Sequence, residues 1–83
     1  MTIATIMLVD DEVPFVEAMT KRLKRRDLAV EQAFSGREAL DKLTEDSKTE
    51  VVILDVKMPG MDGIETLKAI KIKAPLVEVI MLT

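Results

Sequence analysis

The sequence predicts an α/β protein, an open doubly wound parallel sheet in which strands and helices alternate. Three observations carry this. Short β-branched or apolar runs recur along the chain at Ile3 to Val9, Leu28 to Ala33, Val51 to Leu54 and Leu76 to Leu82. Segments with helical apolar spacing lie between them. The run Val51-Val52-Ile53-Leu54 shows no alternation, the mark of a strand covered on both faces, as in parallel sheets. The resulting order, β-α-β-α-β-α-β, implies right-handed crossovers.

Each element has its own signals. The first strand stops at Asp10-Asp11, and Pro14 suits a first helical turn, where its missing N–H has no intrahelical partner. Phe15, Met19 and Leu23, with Val16 beside them, mark one apolar face of that helix. Glu17 and Lys21 form an i,i+4 pair on the wet side, and the helix should end near Arg26 or Asp27. Leu28 to Ala33 is more polar, as expected of a sheet edge. Ser35-Gly36-Arg37-Glu38 has the form of a capping box and opens a helix whose inner face is Ala39, Leu40 and Leu43. Thr44 to Glu50 is a polar surface turn. After Asp55 comes a loop with a Pro59-Gly60 breaker. Asp62 caps the next helix, with Glu65 three residues on, and Ile64, Leu67 and Ile70 supply its buried stripe. The fourth strand follows Pro75 and ends at Thr83.

Composition narrows the function. Eighty-three residues make one small domain, and 48% apolar with 33% charged residues excludes a disordered chain. Phe15 and Phe34 are the only aromatics, too few for base-stacking platforms. The formal charge of −3 gives no reason to expect nucleic-acid binding. Five of the bases lie in Lys21-Arg22-Leu23-Lys24-Arg25-Arg26, where cations complement the negative end of a helix dipole; a partner-docking patch is the alternative. Without cysteine there are no disulfides or thiolate metal sites, and without histidine no imidazole base or ligand. The residues after Met1 lack the pattern of a signal peptide or membrane span, which points to the cytoplasm.

The position of the acids is the informative feature. Asp10 and Asp11 close the first strand, and Asp55 closes the third. Ligands of open α/β sheets bind beyond the carboxyl ends of the strands, where the winding reverses. With strand order 2-1-3-4, that point falls between strands 1 and 3, so the three carboxylates converge. Their mutual repulsion requires protons or a cation, and oxygen-only ligands with open positions favour Mg²⁺ or Mn²⁺. Singly, each Asp would suit a turn or a cap; it is the joint placement that argues for a site. Lys57 either overhangs the crevice or is an exposed loop lysine. Thr83 ends the fourth strand, where its hydroxyl either faces a group on Asp55 or is an ordinary strand residue. The six methionines are core filler.

Several segments together resemble receiver domains of two-component response regulators. They are Val9-Asp10-Asp11-Glu12, the run Ala33-Phe34-Ser35-Gly36-Arg37-Glu38-Ala39-Leu40, the loop from Leu54-Asp55 to Met61-Asp62-Gly63, and Val79-Ile80-Met81-Leu82-Thr83. The resemblance spans essentially the whole chain and implies a flavodoxin-like, CheY-like sheet. It implies that Asp55 is the phosphoacceptor, charged from a phosphohistidine on a sensor histidine kinase. It implies a Mg²⁺ site of Asp10, Asp11, Asp55 and the backbone carbonyl of Lys57, with Thr83 as the switch residue that contacts the phosphoryl group. Residues 1–83 then read as the N-terminal portion of a receiver domain, truncated after the fourth strand. The family's last helix, strand and helix, and its fifth-strand lysine, have no counterpart here. An impaired fragment is therefore expected, dimeric through the exposed edge of the fourth strand. Neither an enzyme activity nor direct contact with nucleic acid or membrane is expected.

Two other classes share part of this pattern. A haloacid-dehalogenase-type phosphatase also uses an Asp nucleophile and Mg²⁺, but wants an Asp where this chain has Lys57. A non-transferring interaction fragment keeps the acids and associates through its sheet. A phosphate-binding G-x-x-x-x-G-K-[ST] loop does not occur.

Overall fold

A computed structural model describes residues 3–58 and 63–82. The elements run β1 (Ala4–Val9), α1 (Val13–Lys24), β2 (Leu28–Ala33), α2 (Gly36–Lys42), β3 (Val51–Asp55), α3 (Gly63–Lys73) and β4 (Glu78–Leu82). The four strands form one parallel sheet, as the alternating pattern predicts, and their order is β2-β1-β3-β4, the order expected of the CheY-like sheet that the resemblance implies. β2 is an edge strand, as its polarity suggested.

The helices divide between the two faces. α2 and α3 cover the face presented by Met7, Val9, Ala33, Val52 and Leu54, and Ala39, Leu43, Met58, Ile70 and Val77 complete that buried cluster. α1 covers the other face, over β1 and β2, where Leu8 and Val16 are buried. In the β1–β3–β4 register, Leu8 lies beside Ile53 and Ile53 beside Ile80. Burial falls along this row, from Leu8 at 2% exposed, through a half-buried Ile53, to Ile80 at 51%. The expected cover on both faces of β3 is therefore complete on the α2/α3 side only, because α1 packs chiefly over β2 and β1.

Local signals explain the boundaries. The Ser35 hydroxyl accepts the Glu38 N–H at 3.0 Å, and the Glu38 carboxylate accepts the Phe34 N–H at 2.8 Å, so both halves of the capping box are made. α1 stops at Lys24, two residues short of the expected end. Arg26 and Asp27 then donate to Leu23 and Lys24 in a tighter turn, and Asp27 adopts φ 62°, the left-handed conformation common after a helix.

Four expectations need correcting. Phe15 is 39% exposed; α1 is rotated so that Val16, Met19, Thr20 and Leu23 face the sheet. Thr20 can turn inward because its hydroxyl donates to the Val16 carbonyl at 2.7 Å and accepts the Gln32 amide at 2.9 Å. Ile64 is 48% exposed; α3 instead buries Gly63, Thr66 and Ile70, with Leu67 partly buried. The fourth strand starts at Glu78 rather than Leu76, because the Val77 N–H returns to the Ala74 carbonyl in a turn that leaves Leu76 outside. Glu17 and Lys21 form no ion pair; the one found among the described residues joins Lys42 to Glu38 at 3.8 Å. An exposed helical pair contributes about 0.2–0.5 kcal/mol, too little to fix two long side chains. The Pro59-Gly60 breaker, the Asp62 cap and Thr83 lie outside the described residues.

Candidate metal centre

β1 and β3 lie side by side, with Val9 paired to Leu54, so the residues that follow them emerge at the same end of the sheet. Asp10 leaves β1 with its N–H donated to the Ala33 carbonyl of β2 at 3.1 Å. Its Oδ1 accepts the Glu12 N–H at 3.0 Å, which turns the chain toward α1. Asp55 is the last residue of β3, and its Oδ1 accepts the Lys57 N–H at 3.1 Å. The next amide, Val56 N–H, donates to the Leu82 carbonyl of β4 at 3.2 Å.

These turns bring the three predicted carboxylates together. Asp10, Asp11 and Asp55 each offer an oxygen, and those oxygens lie within 4.8 Å of one another. Asp10 and Asp55 are half-buried, and Asp11 is exposed. Partial burial is the main cause that holds the Asp10 carboxyl above the ordinary carboxylate range; the hydrogen bond from Glu12 opposes it, and the charges of Asp55 and Asp11 add to it. The donor set is all oxygen, partly open to solvent and short of positive charge. Such a set fits a hard divalent cation such as Mg²⁺.

The Lys57 side chain is exposed and makes no ion pair among the described residues, and its backbone N–H is the group tied to Asp55. Thr83, the remaining predicted site residue, lies outside the described residues. Sequence reasoning missed how the acids are fastened. Each of Asp10 and Asp55 accepts the N–H two residues on, the Asx-turn habit of aspartate just after a strand. It also missed the seating of Gly63, whose N–H donates to the Val56 carbonyl at 3.1 Å. A glycine opening a helix after a loop was the available signal.

Comparison with known proteins gives a consistent picture. Residues 6–83 match the family described as the response regulator receiver domain. The chain is 46% identical over 78 residues to the transcriptional regulatory protein CpxR homolog of Haemophilus influenzae, covering 94% of this chain and 33% of that protein. A response regulator receiver domain protein from Clostridium thermocellum superposes with a TM-score of 0.90 at 35% identity, over 98% of this chain and 65% of that one. The response regulator TrrA of Thermotoga maritima, solved in complex with Mg²⁺ and BeF, gives 0.87 at 33% identity, over 98% of this chain and 70% of that one. The chain thus spans one third of the length of the first relative and just under two thirds of the first structure.

Proposed function

The chain belongs to the response regulator receiver domain family of two-component signalling, and from that membership we propose that it accepts a phosphoryl group on Asp55. The observation that carries the reading is the convergence of three carboxylates, from the ends of two adjacent strands, within 4.8 Å. A phosphohistidine on a sensor histidine kinase is the proposed donor, in the cytoplasm. A carboxylate oxygen of Asp55 attacks phosphorus; the O–P bond forms as the P–N bond breaks, and the electron pair stays on the imidazole nitrogen. Asp10, Asp11, Asp55 and the Lys57 carbonyl would hold Mg²⁺. Bound there, the cation supplies neutralisation between an anionic nucleophile and an anionic phosphoryl group. The Mg²⁺ and BeF of the Thermotoga relative support this reading. Thr83 is the proposed switch residue, its hydroxyl donating to the phosphoryl group. The module is a phosphoacceptor, spent after one transfer until the acyl phosphate is hydrolysed.

The test is incubation with acetyl phosphate and Mg²⁺, followed by intact mass. Addition of a single phosphoryl group to a fraction of the chains is expected on the wild type, as suits an impaired acceptor, and none on Asp55→Asn or with a chelator present. A chain that stays unmodified while folded favours the non-transferring interaction module. Turnover of a phosphate ester favours a phosphatase.

A second copy of the chain is the proposed structural partner, through the edge of β4. That strand pairs with β3 alone among the described strands, and its Ile80 and Leu82 lie exposed on one face. Pairing two such edges about a two-fold axis would satisfy the free backbone groups and bury apolar surface at roughly 25 cal/mol per Å². Light scattering should then give twice the chain mass at micromolar concentration; a folded monomer there rejects the pairing.

A further inference from the structure

Gly63 opens α3 and is buried. Its amide donates to the Val56 carbonyl at 3.1 Å. A β-carbon placed on it would stand 2.5 Å from the Val56 Cα, 2.8 Å from its carbonyl oxygen and 3.0 Å from its carbonyl carbon. All three are backbone atoms, so no side-chain rotation relieves the contact; the chain itself must move. The glycine is needed for space and not for an unusual backbone angle, since its φ lies outside the left-handed region.

What stands on the other side of this contact is the site. Val56 separates Asp55 from Lys57. Its N–H is tied to the Leu82 carbonyl of β4 at 3.2 Å, and its C=O to the Gly63 amide. The residue is therefore held from both sides, by β4 through its nitrogen and by the first turn of α3 through its oxygen. Its carbonyl belongs to the peptide whose N–H, on Lys57, is accepted by Asp55 Oδ1 at 3.1 Å. Pushing Val56 away from α3 must tilt that peptide and the Asp55 carboxylate with it.

We infer that Gly63 is a positioning residue: by lacking a side chain it lets α3 seat on the Val56 backbone, and so aims the Asp55 carboxylate and the Lys57 carbonyl at Asp10 and Asp11. The inference rests on the metal-site reading of those acids. Groups behind the direct ligands that set their orientation are commonly worth about ten- to a hundredfold in metal affinity, and Gly63→Ala should weaken Mg²⁺ binding by that much. By helix propensity alone alanine is the better residue here, so a loss cannot come from the helix itself.

The experiment compares wild type, Gly63→Ala, Gly63→Ala with Val56→Ala, and Ile70→Val, by Mg²⁺ calorimetry and thermal melting. Ile70→Val trims a fully buried side chain of the same helix; it should lower the melting temperature and leave affinity unchanged. Gly63→Ala should lower affinity, and the Val56→Ala change should not restore it, because the crowded atoms are backbone. Recovery in the double variant, or a folded Gly63→Ala with wild-type affinity, overturns the inference and leaves the metal reading standing. A wild type that takes up no Mg²⁺ removes both. Should Gly63→Ala not fold, an amide-resolved Mg²⁺ titration of the wild type decides. The Gly63 amide should shift along the same saturation curve as that of Lys57, and a Gly63 amide that stays still while Lys57 moves overturns the inference.

Discussion

Replacing Asp10 by Asn should stabilise the metal-free protein and remove most of its response to Mg²⁺. Asparagine keeps the oxygen that accepts the Glu12 N–H, so the change removes charge with little loss of hydrogen bonding. Asp10 faces Asp11 and Asp55 with ligand oxygens no more than 4.8 Å apart. At that distance two unit charges repel by about 0.9 kcal/mol in water and about 3.5 kcal/mol at an effective dielectric of 20. Asp11 is exposed and its partners half-buried, which places the site near the watery limit. Two pairs then cost about 2 kcal/mol, reduced to about 1 kcal/mol by salt screening at physiological strength. For a chain of this size 1 kcal/mol moves the melting temperature by about 4–8 °C. The Asp10 carboxyl titrates above its ordinary range in the folded state, so the folded state binds that proton more tightly than the unfolded chain. Its contribution is present at low pH and is lost as pH rises through the raised value. The advantage of Asp10→Asn should accordingly vanish in acid and be full at neutral pH. Saturating Mg²⁺ should reverse the ranking, since a ligand at a hundred times its Kd stabilises by about 2.7 kcal/mol. Melting followed by circular dichroism, with chelator and then with Mg²⁺, reads all of this. An Asp10→Asn variant that melts at or below the wild type in chelator at neutral pH refutes the electrostatic reasoning.

Other changes have equally definite outcomes. Ser35→Ala removes the hydroxyl that accepts the Glu38 N–H at the start of α2 and should cost about 1 kcal/mol, read as a lower denaturant midpoint with an unchanged slope. Asp27→Asn keeps a residue that tolerates φ 62° and removes an anion from the negative end of α1. A gain of about 0.3–1 kcal/mol is expected, and a lower melting temperature would show that the carboxylate has a partner of its own. Leu54→Ala empties a fully buried position of β3 and should cost about 2–5 kcal/mol. Urea unfolding measures it, and a loss under 1 kcal/mol would mean that the sheet collapses onto the gap.

The parallel alternation was legible in the sequence, and so was the meeting of the acids once the strand order implied by the family resemblance was taken. Once Asp10-Asp11 and Asp55 are placed at the ends of strands 1 and 3, a parallel sheet with those strands adjacent leaves the three side chains nowhere else to go. The capping box was legible because it is local: Ser35 and Glu38 satisfy backbone groups within four residues of themselves. Helix rotation was not legible. Phe15 and Ile64 are apolar and sit one position off the buried stripes, while Thr20 and Thr66 are polar and buried. Counting apolar residues cannot know that Gln32 waits across the interface for the Thr20 hydroxyl, or that Gly63 must meet Val56 and thereby turns Ile64 outward. Leu76 looked like strand for the same reason: its apolar character was visible, and the turn that excludes it, closed from Val77 to Ala74, was not.

The most direct measurement is a Mg²⁺ titration of the isotopically labelled chain, followed amide by amide, alongside the variant in which Asp10, Asp11 and Asp55 are all asparagine. Expected is one saturable site per chain, with the largest shifts in the two short segments around residues 10 and 55, and no saturation in the triple variant. Saturable uptake that persists in the triple variant, or shifts centred on the 44–50 turn or the basic end of α1, would contradict the assignment.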